Sequence, residues 1–397
     1  MTVRVEKAAF NLRDKLSKLE LPVGVHGSQI LKSETPQDTF NIVSAGRKNM
    51  IINGDMRISQ RYSSAQTISS GTDAYFLDRW LARNDTGATV AQSHSATSPD
   101  GHYRSLRLEC TSADTSMSGT EYCRIQQYIE GYNILTDWGQ GRYTDFVTIS
   151  FWVQSSVTGI YSVSIEDGDA STFCINEYRI NRPNVWEWKT VTVPPPLNGD
   201  FVAKGTNSGM RVTFTLATVD QYKTTKERLG RWDSTGDYDM ASPNQVNFVR
   251  TTGNFYLTGV QLERGKVATP FEYIPYGDSL MRCYRYYVKL FTNTSDFPFG
   301  YGYKYSNGAH AVSVPLPTRL RATPGVTFSG LRIRGGHTGG SNQEDDVTGL
   351  GGMAYSNGNF QSFTANTSTN NTSIGQTVVL TNSVSNNTSY IAFDAEL

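Results

Sequence analysis

The sequence predicts a mainly β protein: an N-terminal helical arm, an antiparallel β-sandwich and a second, C-terminal β domain. Two observations predict this class. Gly (36), Tyr (22) and Phe (18) are plentiful among the 397 residues, a composition that favours strands joined by turns. From residue 49 onward, short segments of alternating apolar and polar residues recur without helical spacers between them. Antiparallel sandwiches are built from such strands, whereas parallel sheets need helical crossovers.

The arm is predicted over residues 1–48, because five apolar residues there are spaced 4, 3, 4 and 3 apart. This spacing is typical of a coiled-coil seam, although it extends over only about two heptads. Two interpretations stay open: a fraying terminal arm, or an arm for attachment and oligomerisation. Thr35-Pro36 marks the start of a second short helix, since Thr suits the N-cap and Pro the first helical position. The predicted seam is Val5, Ala9, Leu12, Leu16 and Leu19.

The sandwich is predicted over residues 49–275, where segments of alternating residues are separated by turn signals such as Asp167-Gly168 and Asn198-Gly199. The C-terminal β domain is predicted over residues 276–397, from strand-like pieces within a polar, Ser/Thr/Asn-rich tail. The clearest predicted strands are 146–153, 185–193, 210–219, 254–263, 311–315, 377–380 and 390–393.

The charge balance excludes some classes of protein. Lys and Arg total 36 and Asp and Glu total 36, so the chain lacks the basic footprint of a nucleic-acid-binding protein. Mean hydropathy is −0.42, and no apolar run approaches the roughly 18 residues that span a bilayer. We therefore expect no nucleic-acid partner and no membrane insertion. The charged N-terminus also argues against a secretory signal.

Catalytic motifs are missing from the sequence. It contains no GxSxG, HExxH, Walker A or GxGxxG pattern, and its four cysteines form no CxxC pair. We therefore predict no catalytic residues, no enzyme activity and no cofactor. One acidic, Gly-rich loop, with Asp233, Asp237 and Asp239, is either a solvated loop or a weak Ca²⁺ site, because oxygen ligands on flexible loops suit that cation.

Tryptophans give the clearest indication of a binding surface. Trp186 and Trp188 lie two apart on a predicted strand and so share a face, either as a platform for sugars or as part of the core. Trp152 is opposite in phase to the apolar face of its strand. Trp232 lies beside the acidic loop, at the rim where binding sites commonly occur. Trp186, Trp188 and Trp232 are the candidate glycan-contacting residues, since aromatic rings cover the apolar faces of sugars.

Four segments are distinctive: residues 46–61 (GRKNMIINGDMRISQR), 76–80 (FLDRW), 255–277 (FYLTGVQLERGKVATPFEYIPYG) and 283–287 (CYRYY). They resemble segments of bacteriophage tail-fibre and appendage proteins that contain a jelly roll similar to carbohydrate-binding modules. The N-terminal arm, with residues 11–16 (NLRDKL) and Thr35-Pro36, is similar to virion-anchoring arms of podovirus-like marine phages.

This resemblance implies a structural virion protein, assembled in the host cytoplasm and exposed on the particle. It implies three partners: other virion proteins through residues 1–48, further copies of the chain in a homotrimer, and glycans on the host surface. The family module sometimes carries a structural calcium near its first strand. Here Met56-Arg57 stands where an acid commonly follows, and Gln261 lies on the matching closing strand, which argues against that calcium.

Three other functions stay open at this point. A polysaccharide depolymerase would need two carboxylates at a suitable separation. A secreted cellular adhesin would need a signal sequence. A purely architectural tail or capsid component would bind no sugar at all.

Overall fold

The structure is a computed structural model of the chain. By contact, the chain divides into two compact units, residues 1–48 and 49–397. The structure describes residues 27, 30, 39, 47–134, 138, 146–168, 172–196, 205–234, 241–294, 297–335, 343–357 (backbone alone from 353), 360–382 and 388–397.

Five residues of the first unit are described, and three of them are helical: Gly27, Ile30 and Thr39. Thr39 falls within the helix predicted to begin near Thr35. The seam from Val5 to Leu19 lies outside the described residues, so the seam and its role in oligomerisation stay predictions.

Thirteen strands of the second unit form two antiparallel sheets. Their bounds are β1 Gln66–Ile68, β2 Asp73–Leu77, β3 Trp80–Asn84, β4 Thr89–Ser95, β5 Ser105–Ser112, β6 Tyr122–Glu130, β7 Val147–Ser155, β8 Gly159–Asp167, β9 Phe173–Ile180, β10 Glu187–Val193, β11 Ser208–Thr218, β12 Trp232–Asp233 and β13 Gly253–Arg264. One sheet has six strands in the order β1-β4-β5-β13-β7-β10, and the other has seven in the order β12-β9-β8-β11-β6-β3-β2.

Alternation along the strands places the core between these two sheets. On β7, Val147, Ile149, Phe151 and Val153 are fully buried, as their spacing of two predicts. The Phe151 ring centroid lies 5.0 Å from that of Phe214 on the opposite sheet. The predicted sandwich is therefore confirmed as a jelly-roll-type arrangement of two packed sheets.

The strands of the C-terminal region build a small closed barrel and a three-stranded sheet. Their bounds are β14 Tyr287–Phe291, β15 Gly300–Ser306, β16 Ala309–Pro315, β17 Gly325–Ser329, β18 Leu331–Gly335, β19 Glu344–Asn357, β20 Phe360–Thr367, β21 Thr377–Asn382 and β22 Tyr390–Asp394. The barrel order is β15-β16-β20-β19-β18-β21, and the sheet order is β14-β22-β17. The predicted β structure of the C-terminal region is confirmed, whereas the domain bounds 49–275 and 276–397 stay predictions, since by contact residues 49–397 form one unit.

Helices are short and few in the described part of residues 49–397. The α-helix α1, Tyr276–Tyr284, leads from the sandwich into the C-terminal region. Single 3₁₀ turns occur at Gly131–Asn133, Asp220–Tyr222, Lys226–Arg228 and Phe248–Arg250. Among the described residues, no helix combines the length and apolar character that a membrane span requires.

Buried ion pairs connect the sandwich to the C-terminal residues. Arg79, which is 1% exposed, pairs through its guanidinium with the carboxylate of Glu396, and its backbone N–H donates to the same carboxylate at 3.1 Å. The guanidinium also lies 3.6 Å from the ring centroid of Tyr286. Arg79 has a φ of 72°, a conformation uncommon for a residue other than glycine. We call these contacts, together with those of Arg61 and Glu130, the junction.

Two further charged groups complete the junction. Arg61 Nη2 contacts Asp394 Oδ2 at 3.0 Å, and its guanidinium lies 3.7 Å from the ring centroid of Tyr287. Glu130 is fully buried and accepts hydrogen bonds from Arg285 Nε and the Tyr286 hydroxyl, each at 2.8 Å. The segments 76–80 and 283–287, which the sequence singled out, therefore meet at the boundary between sandwich and C-terminal region.

Candidate functional site

Aromatic side chains accumulate on the outer face of the six-stranded sheet. Trp152 on β7 and Trp188 on β10 are register partners, and partners in an antiparallel pair project to the same side. Trp152 alternates with the core residues of β7, so this side is the outer one. Trp188 is 49% exposed. We call the whole set the aromatic band: His102, Trp152, Trp186, Trp188, Tyr256, Phe271 and Tyr273.

Trp186 and Tyr256 form one end of the band, with ring centroids 6.0 Å apart. The turn before Trp186 is organised by Glu187, whose carboxylate accepts hydrogen bonds from the backbone N–H groups of Asn181 and Arg182 at 2.8 and 2.9 Å and from Lys189 Nζ at 2.6 Å. Burial alone would raise the pKa of Glu187, but these bonds outweigh burial and lower the pKa to about 2. The carboxylate therefore stays ionised and holds this turn at neutral pH.

His102, Phe271 and Tyr273 form the other end of the band. The His102 ring centroid lies 5.3 Å from that of Phe271 and 5.8 Å from that of Tyr273. The Tyr273 hydroxyl donates to the carbonyl oxygen of Gly101 at 2.6 Å. Burial lowers the pKa of His102, with an opposing effect from Asp55. The imidazole is therefore neutral at neutral pH, as suits a ring packed edge-on and tilted against two aromatic rings.

Gly259 lies beside His102 and Trp152 and leaves room for both rings. It interrupts β13 at a register shift and has a φ of +60°. A Cβ atom there would lie 2.7 Å from His102 Cε1 and 3.2 Å from Trp152 Cδ1. Only glycine adopts this φ without strain and leaves room for both rings.

Polar groups lie beside the rings on the same face. Gln154 is the register partner of Tyr256, and its Oε1 is buried without a hydrogen-bond partner in the described part of the chain. Arg107 Nε donates to Asn254 Oδ1 at 2.8 Å, and Arg107 also pairs with Glu109 at 2.8 Å. Rings beside amide and guanidinium groups can cover the C–H face of a sugar and bond to its hydroxyls.

The structure distributes the three candidate tryptophans unequally. Trp186 and Trp188 belong to the aromatic band. Trp232 lies on β12, at the edge of the other sheet. Its indole N–H donates to the carbonyl oxygen of Pro194 at 2.6 Å, and its ring packs edge-on against Trp138, 5.4 Å away. Trp232 thus packs against its neighbours and is not part of the band.

The acidic loop is described only in part. Asp233 forms an ion pair with Arg228 at 2.9 Å, whereas Asp237 and Asp239 lie outside the described residues. Across the described ranges, no three His, Cys, Asp or Glu side chains group together as metal ligands would. The weak cation site stays a prediction.

The calcium that the resemblance implies does not fit the residues near the first strand. The Asp55 carboxylate is paired with Arg57. Gln261 directs its amide N–H toward Glu263 Oε1 at 2.8 Å, and Glu263 also accepts from Thr269 N and Oγ1 at 2.8 and 2.6 Å. Hydrogen-bond donors thus occupy the carboxylate oxygens that a cation would need.

Most of the band could not be assigned from the sequence alone. Tyr256 alternates with the core residues of β13, but its position beside Gln154 depends on the strand order of the sheet. Phe271 and Tyr273 follow the last sandwich strand, and the segment folds back across the outer face. Two signals are present in the sequence: the spacing of two between Trp186 and Trp188, and the outward phase of Trp152.

No family model matches the chain, and no curated protein matches it. Several solved structures are similar to part of it. The enzymatically active domain of tailspike protein 4 from bacteriophage CBA120 is 12% identical with a TM-score of 0.28, over 54% of this chain and 21% of that chain. The family 11 carbohydrate-binding module of a Clostridium thermocellum cellulase is 12% identical with a TM-score of 0.25, over 52% and 97%.

An arabinose-bound α-L-arabinofuranosidase is 10% identical with a TM-score of 0.30, over 56% of this chain and 28% of that chain. The matches thus span about a fifth of the tailspike chain and under a third of the arabinofuranosidase. At such identities and TM-scores these likenesses assign no activity to this protein.

Proposed function

We propose that this protein is a non-enzymatic structural component of a bacteriophage particle, a tail fibre or related appendage that contacts glycans on the host surface. The aromatic band is the observation that carries the glycan part of the proposal. It combines exposed rings with the Gln154 amide oxygen, which is buried and has no hydrogen-bond partner among the residues that the structure describes. Such a combination is the chemistry that sugar recognition needs.

The phage part of the proposal rests on the sequence resemblance of residues 46–61, 76–80, 255–277 and 283–287. In this proposal residues 1–48 dock into the particle, and the chain acts as a homotrimer. Three linked copies raise the effective concentration of a weak glycan site without any new contact.

Glycan binding is tested by titrating the purified chain with oligosaccharides selected on a glycan array. The variant Trp188→Ala should weaken binding about tenfold or more, because truncating an aromatic ring that carries binding commonly costs about 2 kcal/mol and tenfold corresponds to about 1.4 kcal/mol. The matched control is Phe291→Ala, which removes another strongly exposed ring, 71% exposed, from β14. Equal affinities for the two variants would contradict the proposal.

Docking is tested by deleting residues 1–48, which form a compact unit of their own. We expect a folded, soluble remainder that is no longer incorporated into particles. Incorporation of the truncated chain would contradict a docking role.

The absence of enzyme activity is tested by incubating the full-length and truncated chains with host exopolysaccharide, which should release no new reducing ends. Their release would favour a depolymerase.

A further inference from the structure

Three tyrosines stand on the outside of the C-terminal barrel, on a single strand. Tyr301, Tyr303 and Tyr305 alternate along β15 and are 61%, 53% and 46% exposed. Alternate residues of a strand project to one side and lie about 6–7 Å apart. Rings exposed to this degree add little to the core, and a contiguous exposed aromatic patch is typical of an interaction or ligand-binding site. We call these three residues the tyrosine row.

The residues on the inner side of β15 hold this strand against the rest of the barrel. A Cβ atom at Gly302 would lie 1.9 Å from the carbonyl oxygen of Ala311, and one at Gly300 would lie 2.5 Å from that of Ser313. These glycines let β15 lie close against β16. Lys304 is 1% exposed, and its Nζ donates inside the barrel to the carbonyl oxygen of Thr372 at 2.7 Å. The row is therefore presented on a rigid backbone.

Beside the row, the outward residues of β16 and β20 continue the surface. We call them the shelf: Ala309, Ala311, Ser313, Pro315, Phe360, Ser362, Thr364 and Asn366. Tyr301 and Tyr303 are register partners of Ser313 and Ala311 on β16. Ser313 Oγ lies 2.7 Å from Ser362 Oγ on β20, and these two hydroxyls share a hydrogen bond. The outward positions of β15, β16 and β20 carry no charged side chain, all three strands being fully described: Tyr301, Tyr303, Tyr305, Ala309, Ala311, Ser313, Pro315, Phe360, Ser362, Thr364 and Asn366.

We infer that the tyrosine row and its shelf form a second glycan-binding site, which takes a neutral oligosaccharide or polysaccharide lying along β15. The rings cover successive C–H faces of the sugars, and the serine and threonine hydroxyls and the Asn366 amide bond to their hydroxyl groups. The uncharged surface complements a neutral chain, since a charged one would be desolvated there without a partner. This site lies on the barrel, whereas the aromatic band lies on the six-stranded sheet, and the one does not depend on the other.

The test compares three full-length variants on an array of neutral and acidic oligosaccharides, followed by titration with the neutral glycan that binds the wild type best. The variant with Tyr301→Ser, Tyr303→Ser and Tyr305→Ser removes the row. Trp152→Ala with Trp188→Ala disrupts the aromatic band. Tyr132→Ser is the matched control, since Tyr132 is 69% exposed and belongs to the sandwich. Circular dichroism and melting temperatures establish that each variant is folded.

The row variant should lose at least about tenfold in affinity for a neutral glycan, a difference of 1.4 kcal/mol, while Tyr132→Ser keeps wild-type affinity. Loss of that neutral glycan in the band variant alone would overturn the second site and leave the proposed function intact. Failure of every neutral glycan to bind would also overturn it. The size of the assembly is measured in parallel by sedimentation velocity. A smaller assembly for the row variant than for the wild type would mean that another copy of the chain covers the row. That result would also overturn the inference.

Discussion

At the scale of single residues, the packing of the aromatic band depends on Gly259, because the rings of His102 and Trp152 fill the space that a Cβ atom there would need. Gly119 offers a matched control: its φ of +59° is nearly the same, but nothing lies within 4 Å of its Cβ position. Gly119→Ala should cost about 1–2 kcal/mol for the left-handed backbone alone. Gly259→Ala should cost more and should also weaken glycan binding. Equal losses of stability in urea unfolding would contradict the packing described for the band.

His102 gives the band a dependence on pH. Burial lowers its pKa below the ordinary value near 6.5, so the unfolded chain binds a proton more readily than the folded one. The stability that this histidine supports is complete above about pH 6.5 and decreases as the pH falls below it. His102→Phe should therefore lose less stability than the wild type between pH 7.5 and pH 5 in urea unfolding. An identical loss in both proteins would show that His102 does not titrate in this way.

Part of the aromatic band is predictable from single residues. Trp186 and Trp188 were predicted to share a face because a strand has a period of two, and the outward phase of Trp152 followed from the same rule. Trp232 was included because it neighbours an acidic loop. Its packing against Trp138, some 94 positions away along the chain, is a tertiary contact that no local pattern encodes.

At the scale of elements, the junction joins the sandwich to the last strand and the C-terminal residues. Removing one partner of a buried ion pair leaves an uncompensated charge, which costs about 3–5 kcal/mol. Arg79→Met removes the nearer of the two guanidinium groups at Glu396, since Arg61 Nη2 stays 3.5 Å from Glu396 Oε1. It should therefore lower the free energy of unfolding by up to that amount. Lys223→Met is the control, because its pair with Asp220 lies at the surface and exposed pairs contribute little. If both variants unfold at the same denaturant concentration, the junction does not stabilise the fold.

Alternation and turn residues act locally, and the seven strand segments that they predict lie on β7, β10, β11, β13, β16, β21 and β22. The contacts of the junction were not predictable in this way. The segments 76–80 and 283–287 were noticed only as a resemblance, and nothing in their spacing predicts that Arg79 pairs with Glu396. The tyrosine row was also present in the sequence as alternating Gly and Tyr, but its exposure depends on which side of β15 faces the barrel interior.

At the scale of the whole molecule, residues 49–397 form one compact unit, and all four cysteines are free and buried. Burial raises the pKa of Cys283 and of Cys123 far above the ordinary value, so neither thiol is ionised in the folded protein. A thiol reagent should label Cys283, in α1 beside the junction, at the same rate as Cys123 in the sandwich, because both await global unfolding. Faster labelling of Cys283 under native conditions would mean that the junction opens by itself.

The central claim is that the outer face of the six-stranded sheet binds glycan through its exposed rings. Hydroxyl-radical footprinting of the full-length chain, with and without a bound oligosaccharide, tests it most directly. We expect Trp186 and Trp188 to be protected by the glycan while Phe291 is oxidised equally in both samples. A saturating glycan that leaves the oxidation of Trp188 unchanged would contradict the account.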